Sequence, residues 1–156
     1  KHESNFTSVK INNNNSVMLS SMKNLTLGVW ISHGEGKFKL PYPADRYNII
    51  ANYAYKEYPS NPNGSDYNAA MVCSDDGRHL VTMPHIERSI FKYNWAYYPE
   101  NRDEKLSPWL IAFQNSLAIL CLNYKESLFH HLLLFLNLLQ HCLLLLAILM
   151  PYIGLI

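Results

Sequence analysis

Charge is what this chain has least of, and the little it has is balanced. Thirteen lysines and arginines stand against twelve aspartates and glutamates among 156 residues, for a formal charge of +1. A surface that neutralises phosphates needs a basic stripe, and no long basic run occurs, so nucleic acid is not an expected partner. Cysteine is equally sparse. Cys73, Cys121 and Cys142 are odd in number and none stands in C-x-x-C spacing. That argues against a disulfide framework and a zinc ribbon, and a reducing compartment is the simplest setting. No H-E-x-x-H occurs, and no P-C-x-x-C follows His85. With the zinc-hydrolase and zinc-deaminase patterns both missing, His33, Glu35, His79, His85 and Glu87 are expected to hold no metal. No apolar signal region precedes Phe6 and the chain opens at Lys1, which carries the expectation of a piece of a longer polypeptide.

What is present is apolar. Nearly half the residues, 49%, are hydrophobic, enough for a packed core and against disorder throughout. Residues 6–11 alternate as a strand, the asparagine tetrad 12–15 reads as a turn or loop, and 17–20 as a second short strand. Residues 25–32 are a stronger strand, with Val29, Trp30 and Ile31 suited to a pleated surface. It runs into His33-Gly34-Glu35-Gly36, which fits either a hairpin turn or a glycine-flexible loop facing a substrate, followed by a strand over 37–40. A short helical or irregular piece over 44–48 and a strand over 49–55 come next. Pro59, Pro62 and Gly64 then make a rigid loop. Residues 69–73 and 80–83 are expected to pair as a hairpin around the turn 74–77. Cys73 therefore sits before a hairpin turn, not at a strand-to-helix elbow, and reads as a small buried hydrophobe. Residues 88–91 suit a short helix, and the aromatics Tyr93, Trp95, Tyr97 and Tyr98 suit packing under a long loop. Ser107 and Pro108 occupy the cap and first position of a helix over 107–116 that offers Leu110, Ile111 and Phe113 to the core.

The chemistry concentrates at Met83-Pro84-His85-Ile86-Glu87-Arg88. An imidazole that takes a proton from a nucleophile needs one ring nitrogen free and the other held by an acceptor. His85 and Glu87, two apart after a strand that stops at Pro84, suit that pair, although the same spacing also fits two unrelated surface residues. On an extended segment they point the same way. They are expected to lie at the carboxyl edge of the sheet, with residues 32–34 bordering the same cleft.

The words around this pair are specific. The run from Asp76-Gly77-Arg78-His79-Leu80 to Arg88 resembles the end of the glutaminase domain of phosphoribosylformylglycinamidine synthases. So do Gly28-Val29-Trp30-Ile31-Ser32-His33-Gly34-Glu35-Gly36, Tyr58-Pro59-Ser60-Asn61-Pro62-Asn63-Gly64-Ser65, and Ser107-Pro108-Trp109 with Phe113 and Asn115. The four blocks stand in the family's order and cover about residues 1–116. The resemblance implies an α/β domain, part of a class I glutamine amidotransferase of flavodoxin-like type with a mixed sheet and two or three helices. It implies a Cys-His-Glu triad in which His85 is the base and Glu87 its orienter, and a glutamine pocket lined by Ser32, His33 and Gly34. Thiolate attack on the glutamine carboxamide, protonation of the departing ammonia by His85 and hydrolysis of the thioester would follow. This sequence has no cysteine in the matching upstream position, so the fragment alone is expected to be inactive. No cofactor is expected in this fragment; ATP and magnesium belong to the synthetase part, which is absent here. The expected partners are glutamine, the upstream amidotransferase half and the synthetase domain of the same enzyme, in the cytoplasm. A non-catalytic remnant that binds a partner or a membrane is the alternative.

From residue 117 the composition changes. The stretch 128–150 is leucine-rich but interrupted by His130, His131, Asn137, Gln140 and His141. The chain is thus expected to divide into an amidotransferase portion, 1–116, and a hydrophobic helical tail, 117–156, outside the family pattern. A membrane role for the tail is not favoured; translated sequence beyond the true reading frame is.

Overall fold

The structure, a computed structural model, describes residues 2–122 and 124. Five strands form one sheet: β1 (Glu3–Ile11), β2 (Thr26–His33), β3 (Ile49–Tyr53), β4 (Ala69–Cys73) and β5 (Leu80–Thr82). Their spatial order is β2-β1-β3-β4-β5, and every neighbouring pair is antiparallel. The expectation of a mixed sheet is corrected by this pairing. Parallel neighbours need a crossover long enough to carry the chain back, usually a helix, whereas these strands are joined by turns, loops and short 3-10 segments. One α-helix, α1, is described over 109–122, where two or three had been expected. No helix among the described residues is long and apolar enough to cross a membrane.

Alternation builds the core. Val9 and Ile11 on β1 and Leu27, Val29 and Ile31 on β2 turn to one face and are buried there with Ile50, Tyr53 and Met71. Trp109 and Ala112 of α1 join the same cluster, as do Leu19 and Met22 from the β1–β2 connection. The helix keeps only part of the expected stripe: Phe113 packs against the core, but Ile111 is exposed, and Trp109 is fully buried with its indole nitrogen donating to Gly28 O at 2.8 Å. Ser107 accepts from the Trp109 N–H at 3.3 Å and donates to Ser89 O, so it caps the helix and ties it to the segment after β5.

Two expected strands are absent for a common reason. Over 17–20 the chain turns: the Leu19 and Ser20 N–H groups both go to Ser16 O, and Asn14, which receives the Ser16 N–H, donates to the Leu19 carbonyl, so local acceptors and a side chain take the places a partner strand would fill. Over 37–40 the Phe38 N–H goes to Ser65 Oγ at 3.1 Å and the Leu40 N–H to Asp66 Oδ2 at 2.8 Å, side-chain acceptors in place of a ladder. Residues 88–91 give only a single-turn 3-10 segment, Ile86–Ser89. The 74–77 turn and the β4–β5 hairpin form as expected. Ser74 donates to Asp76 and the Arg78 N–H reinforces it, holding the Asp76 carboxyl below the usual range. Cys73 is buried.

Contacts divide the chain into Lys1–Ser116 and Leu117–Ile156. The first unit carries the sheet and everything below. The expectations for 128–150 lie outside the described residues.

Candidate active site

Four antiparallel steps across the sheet return β5 to the direction of β2, so the segments leaving both strands emerge at the same end. The chain then reverses at Pro84 and the sheet's two edges meet. The His85 N–H donates to Trp30 O at 2.7 Å, an isolated antiparallel bridge, while the Trp30 N–H is held by Ser89 Oγ at 3.3 Å. His85 is thus fixed by its backbone to β2, and Ile86, buried beneath it, anchors the turn.

The imidazole stands between two acceptors. Its Nδ1 lies 2.8 Å from Glu87 Oε1 and its Nε2 lies 3.3 Å from Ser32 O. A neutral ring has one N–H and can donate to only one of them. With the proton on Nδ1 toward Glu87, Nε2 keeps a lone pair for a nucleophile's proton, at the cost of facing a carbonyl. Glu87 also lies 3.7 Å from the Arg88 guanidinium, and all three side chains keep substantial solvent contact, with 31%, 55% and 53% exposure for His85, Glu87 and Arg88. The carboxyl-edge rule for parallel sheets does not produce this site; edge closure in an antiparallel sheet does.

Ser32, His33 and Gly34 are placed differently from one another. The Ser32 carbonyl touches the His85 ring, and its hydroxyl is 3.1 Å from His2 Nε2. The His33 ring turns into its own loop, with Nδ1 2.9 Å from Gly36 O. Gly34 lines a cavity of about 530 Å³ with Glu3, Glu35, Lys37, Lys39 and Asn63, a lining that does not include His85. The Asn61–Ser65 words now have atoms attached. Asn61 is buried and braces the loop through Ser65 N at 2.9 Å, Ser65 O at 3.1 Å and Asn68 Oδ1 at 3.0 Å. Asn63 reaches from that brace to Gly34 O and Gly36 O, both at 3.0 Å. Sequence reasoning missed Asn63 and Ser89 as site-supporting residues. The dense N-P-N-G word was the signal for the first; nothing local marks the second.

The model of the CobB/CobQ-like glutamine amidotransferase domain matches residues 1–118, the whole of the sheet and the first turns of α1. The chain belongs to this amidotransferase family. Curated relatives agree: the chain is 39% identical to the phosphoribosylformylglycinamidine synthase of Drosophila melanogaster over 132 residues and 36% identical to that of Homo sapiens over 129. A probable chloroplastic/mitochondrial synthase of Arabidopsis thaliana is 40% identical over 136 residues. Each match takes in 74% of this chain and 9–10% of the relative, so the chain spans about a tenth of the length of the proteins it resembles. The solved structure of PurLQS from Thermotoga maritima superposes with a TM-score of 0.57 at 23% identity, covering 77% of this chain and 49% of that one, a likeness of fold. In this amidotransferase domain, then, the site lies on an antiparallel sheet with one described helix against it.

Proposed function

We propose that the chain is the C-terminal part of the glutaminase portion of a phosphoribosylformylglycinamidine synthase, with His85 as base and Glu87 as its orienter. The observation that carries this reading is the 2.8 Å contact between His85 Nδ1 and Glu87 Oε1, held in place by the backbone bridge to Trp30. A carboxylate on one ring nitrogen fixes the tautomer and leaves the other to exchange protons with a thiol and then with departing ammonia. The thiol comes from a polypeptide upstream in the full-length enzyme: Cys73 is buried and no other cysteine precedes the pair. Ser32, His33 and Gly34 belong to the glutamine-binding side, Ser32 through its carbonyl and the loop through its backbone. In the full-length enzyme, glutamine hydrolysis in the cytoplasm would supply ammonia to a synthetase domain that uses ATP and magnesium to convert formylglycinamide ribonucleotide to formylglycinamidine ribonucleotide. This class I, flavodoxin-like assignment extends to the whole domain, of which the chain is one portion.

The test is complementation. Purified chain alone is expected to release no glutamate from glutamine. Mixed with a polypeptide carrying the nucleophile-bearing half, it should restore release that His85→Ala abolishes. Glutamate release by the chain alone that depends on His85 would overturn the division of labour. Restored release indifferent to His85 and Glu87 would overturn the triad assignment in favour of a non-catalytic binding remnant, a reading that the missing nucleophile keeps in contention.

A further inference from the structure

Beyond the His85–Glu87 pair, one carboxamide concentrates the polar contacts of the β2 loop. Asn63 Nδ2 is 3.0 Å from Gly34 O, 3.0 Å from Gly36 O and 3.2 Å from His33 Nδ1. A carboxamide nitrogen carries two hydrogens, and two carbonyls engage both. The His33 contact is therefore not a third donation. His33 Nδ1 itself donates to Gly36 O at 2.9 Å, which leaves Nε2 as a bare lone pair, buried and without a partner among the described residues.

We infer that Asn63 is the positioning residue of the 33–36 loop: its two N–H groups hold the Gly34 and Gly36 carbonyls and so set the backbone that the loop offers to a ligand. Apolar packing does not do this. A side-chain carbon at Gly34 would meet nothing within 4 Å, so sterics leave that residue free to move. The donor, by contrast, is mounted on a braced arm, since buried Asn61 fixes Ser65, and Ser65 and Asp66 in turn hold Phe38 and Leu40 just beyond the loop. The loop also follows directly from Ser32, whose carbonyl faces the His85 ring. A loop backbone held in one conformation in this way is what a site that binds a carboxylate or carboxamide through loop N–H groups requires. The clamp stands on geometry; the identity of its ligand as glutamine rests on the glutaminase reading above.

The test compares wild type with Asn63→Asp and Asn63→Ala in the full chain. Aspartate keeps the shape and removes both donors, which separates hydrogen bonding from packing. Amide hydrogen exchange over residues 34–36 is expected to accelerate about tenfold in both variants, with aspartate no better than alanine. Wild-type exchange in Asn63→Asp would overturn the inference. Calorimetric titration with glutamine gives the second readout: binding in wild type that is lost in Asn63→Asp at unchanged melting temperature supports it, and equal binding in both overturns it while leaving the glutaminase reading intact. Should wild type take up no glutamine, that failure counts against the glutaminase reading, and exchange alone decides the clamp.

Discussion

The two faces of β2 answer to different constraints. Leu27, Val29 and Ile31 point into the core and are almost wholly buried, in apolar packing that accepts other side chains of similar volume. Gly28, Trp30 and Ser32 point the other way, into the aromatic and polar surroundings of the site. There the tolerance is geometric. Trp30 packs edge-on to Phe6 with centroids 5.1 Å apart, and Phe6 continues to Trp95 at 5.6 Å. A Cβ at Gly28 would stand 2.5 Å from the Phe6 ring and 2.9 Å from Trp95. One face conserves volume and the other conserves position, and the difference teaches where stability and function separate along a single strand.

The widest break in that comparison comes from the core side. Trp109→Ala removes a fully buried ring and strands the Gly28 carbonyl, and should cost about 4 kcal/mol in denaturant unfolding. A loss under about 1 kcal/mol would mean that the helix does not pack as described. Next, Gly28→Ala adds a single methyl where two rings leave no room, and about 2 kcal/mol of destabilisation is expected from overpacking, read as a drop in melting temperature. A neutral result would show that the aromatic face yields as readily as the aliphatic one.

Tyr53 sharpens the contrast within the core. Its hydroxyl is buried without a partner among the described residues, and burial pushes the phenol up from its usual 10.0. Above that value the unfolded chain releases the proton while the folded chain retains it, so the unfolded state binds fewer protons and stability falls as pH rises through 10. Tyr53→Phe should leave stability at neutral pH unchanged or raise it by up to about 1 kcal/mol, because it removes an orphaned polar atom, and should flatten the alkaline decline. An alkaline melting curve identical to that of wild type would exclude Tyr53 as its source. The smallest effect belongs to the site. His85→Ala takes away a solvent-touched pair and should shift the unfolding midpoint by about 0.5 kcal/mol or less. A shift of several kcal/mol would make His85 a structural residue, not a proton carrier.

Much of this was legible in the amino acids, and the exceptions share a cause. Alternation located β2 and β4 within a residue or two and the end of β1, whose start lies three residues before the expected Phe6, and Pro84 marked the end of the strand before His85. The pair His85 and Glu87 was readable from its spacing but forms for a different reason from the expected one: Glu87 stands in the 3-10 turn Ile86–Ser89 with His85 at its N-cap, and that turn, not an extended segment, brings the carboxylate to Nδ1. The strands expected over 17–20 and 37–40 were not formed, because Asn14, Ser65 and Asp66 supply with side chains the partners that alternation assumes will be backbone. Sheet direction was misread for a similar reason, since parallel or antiparallel pairing depends on what the connections can span and not on the strands. The helix-to-strand bond from Trp109 to Gly28, 81 residues away in sequence, left no local trace.

Asn63 is followed by Gly64, and an asparagine before glycine is where a polypeptide ages. The following backbone nitrogen attacks the carboxamide carbon, ammonia leaves, and the cyclic imide opens with water to aspartate or isoaspartate. In this loop both reacting groups are occupied, the carboxamide nitrogen by two carbonyls and the Gly64 N–H by Asn61 O at 3.3 Å. The clamp therefore guards itself against its own decay, and the slow growth of an acidic form on ion exchange becomes a clock of how often the loop opens. Each opening that ends in reaction is recorded permanently, as a negative charge set against the two carbonyls that the amide once held.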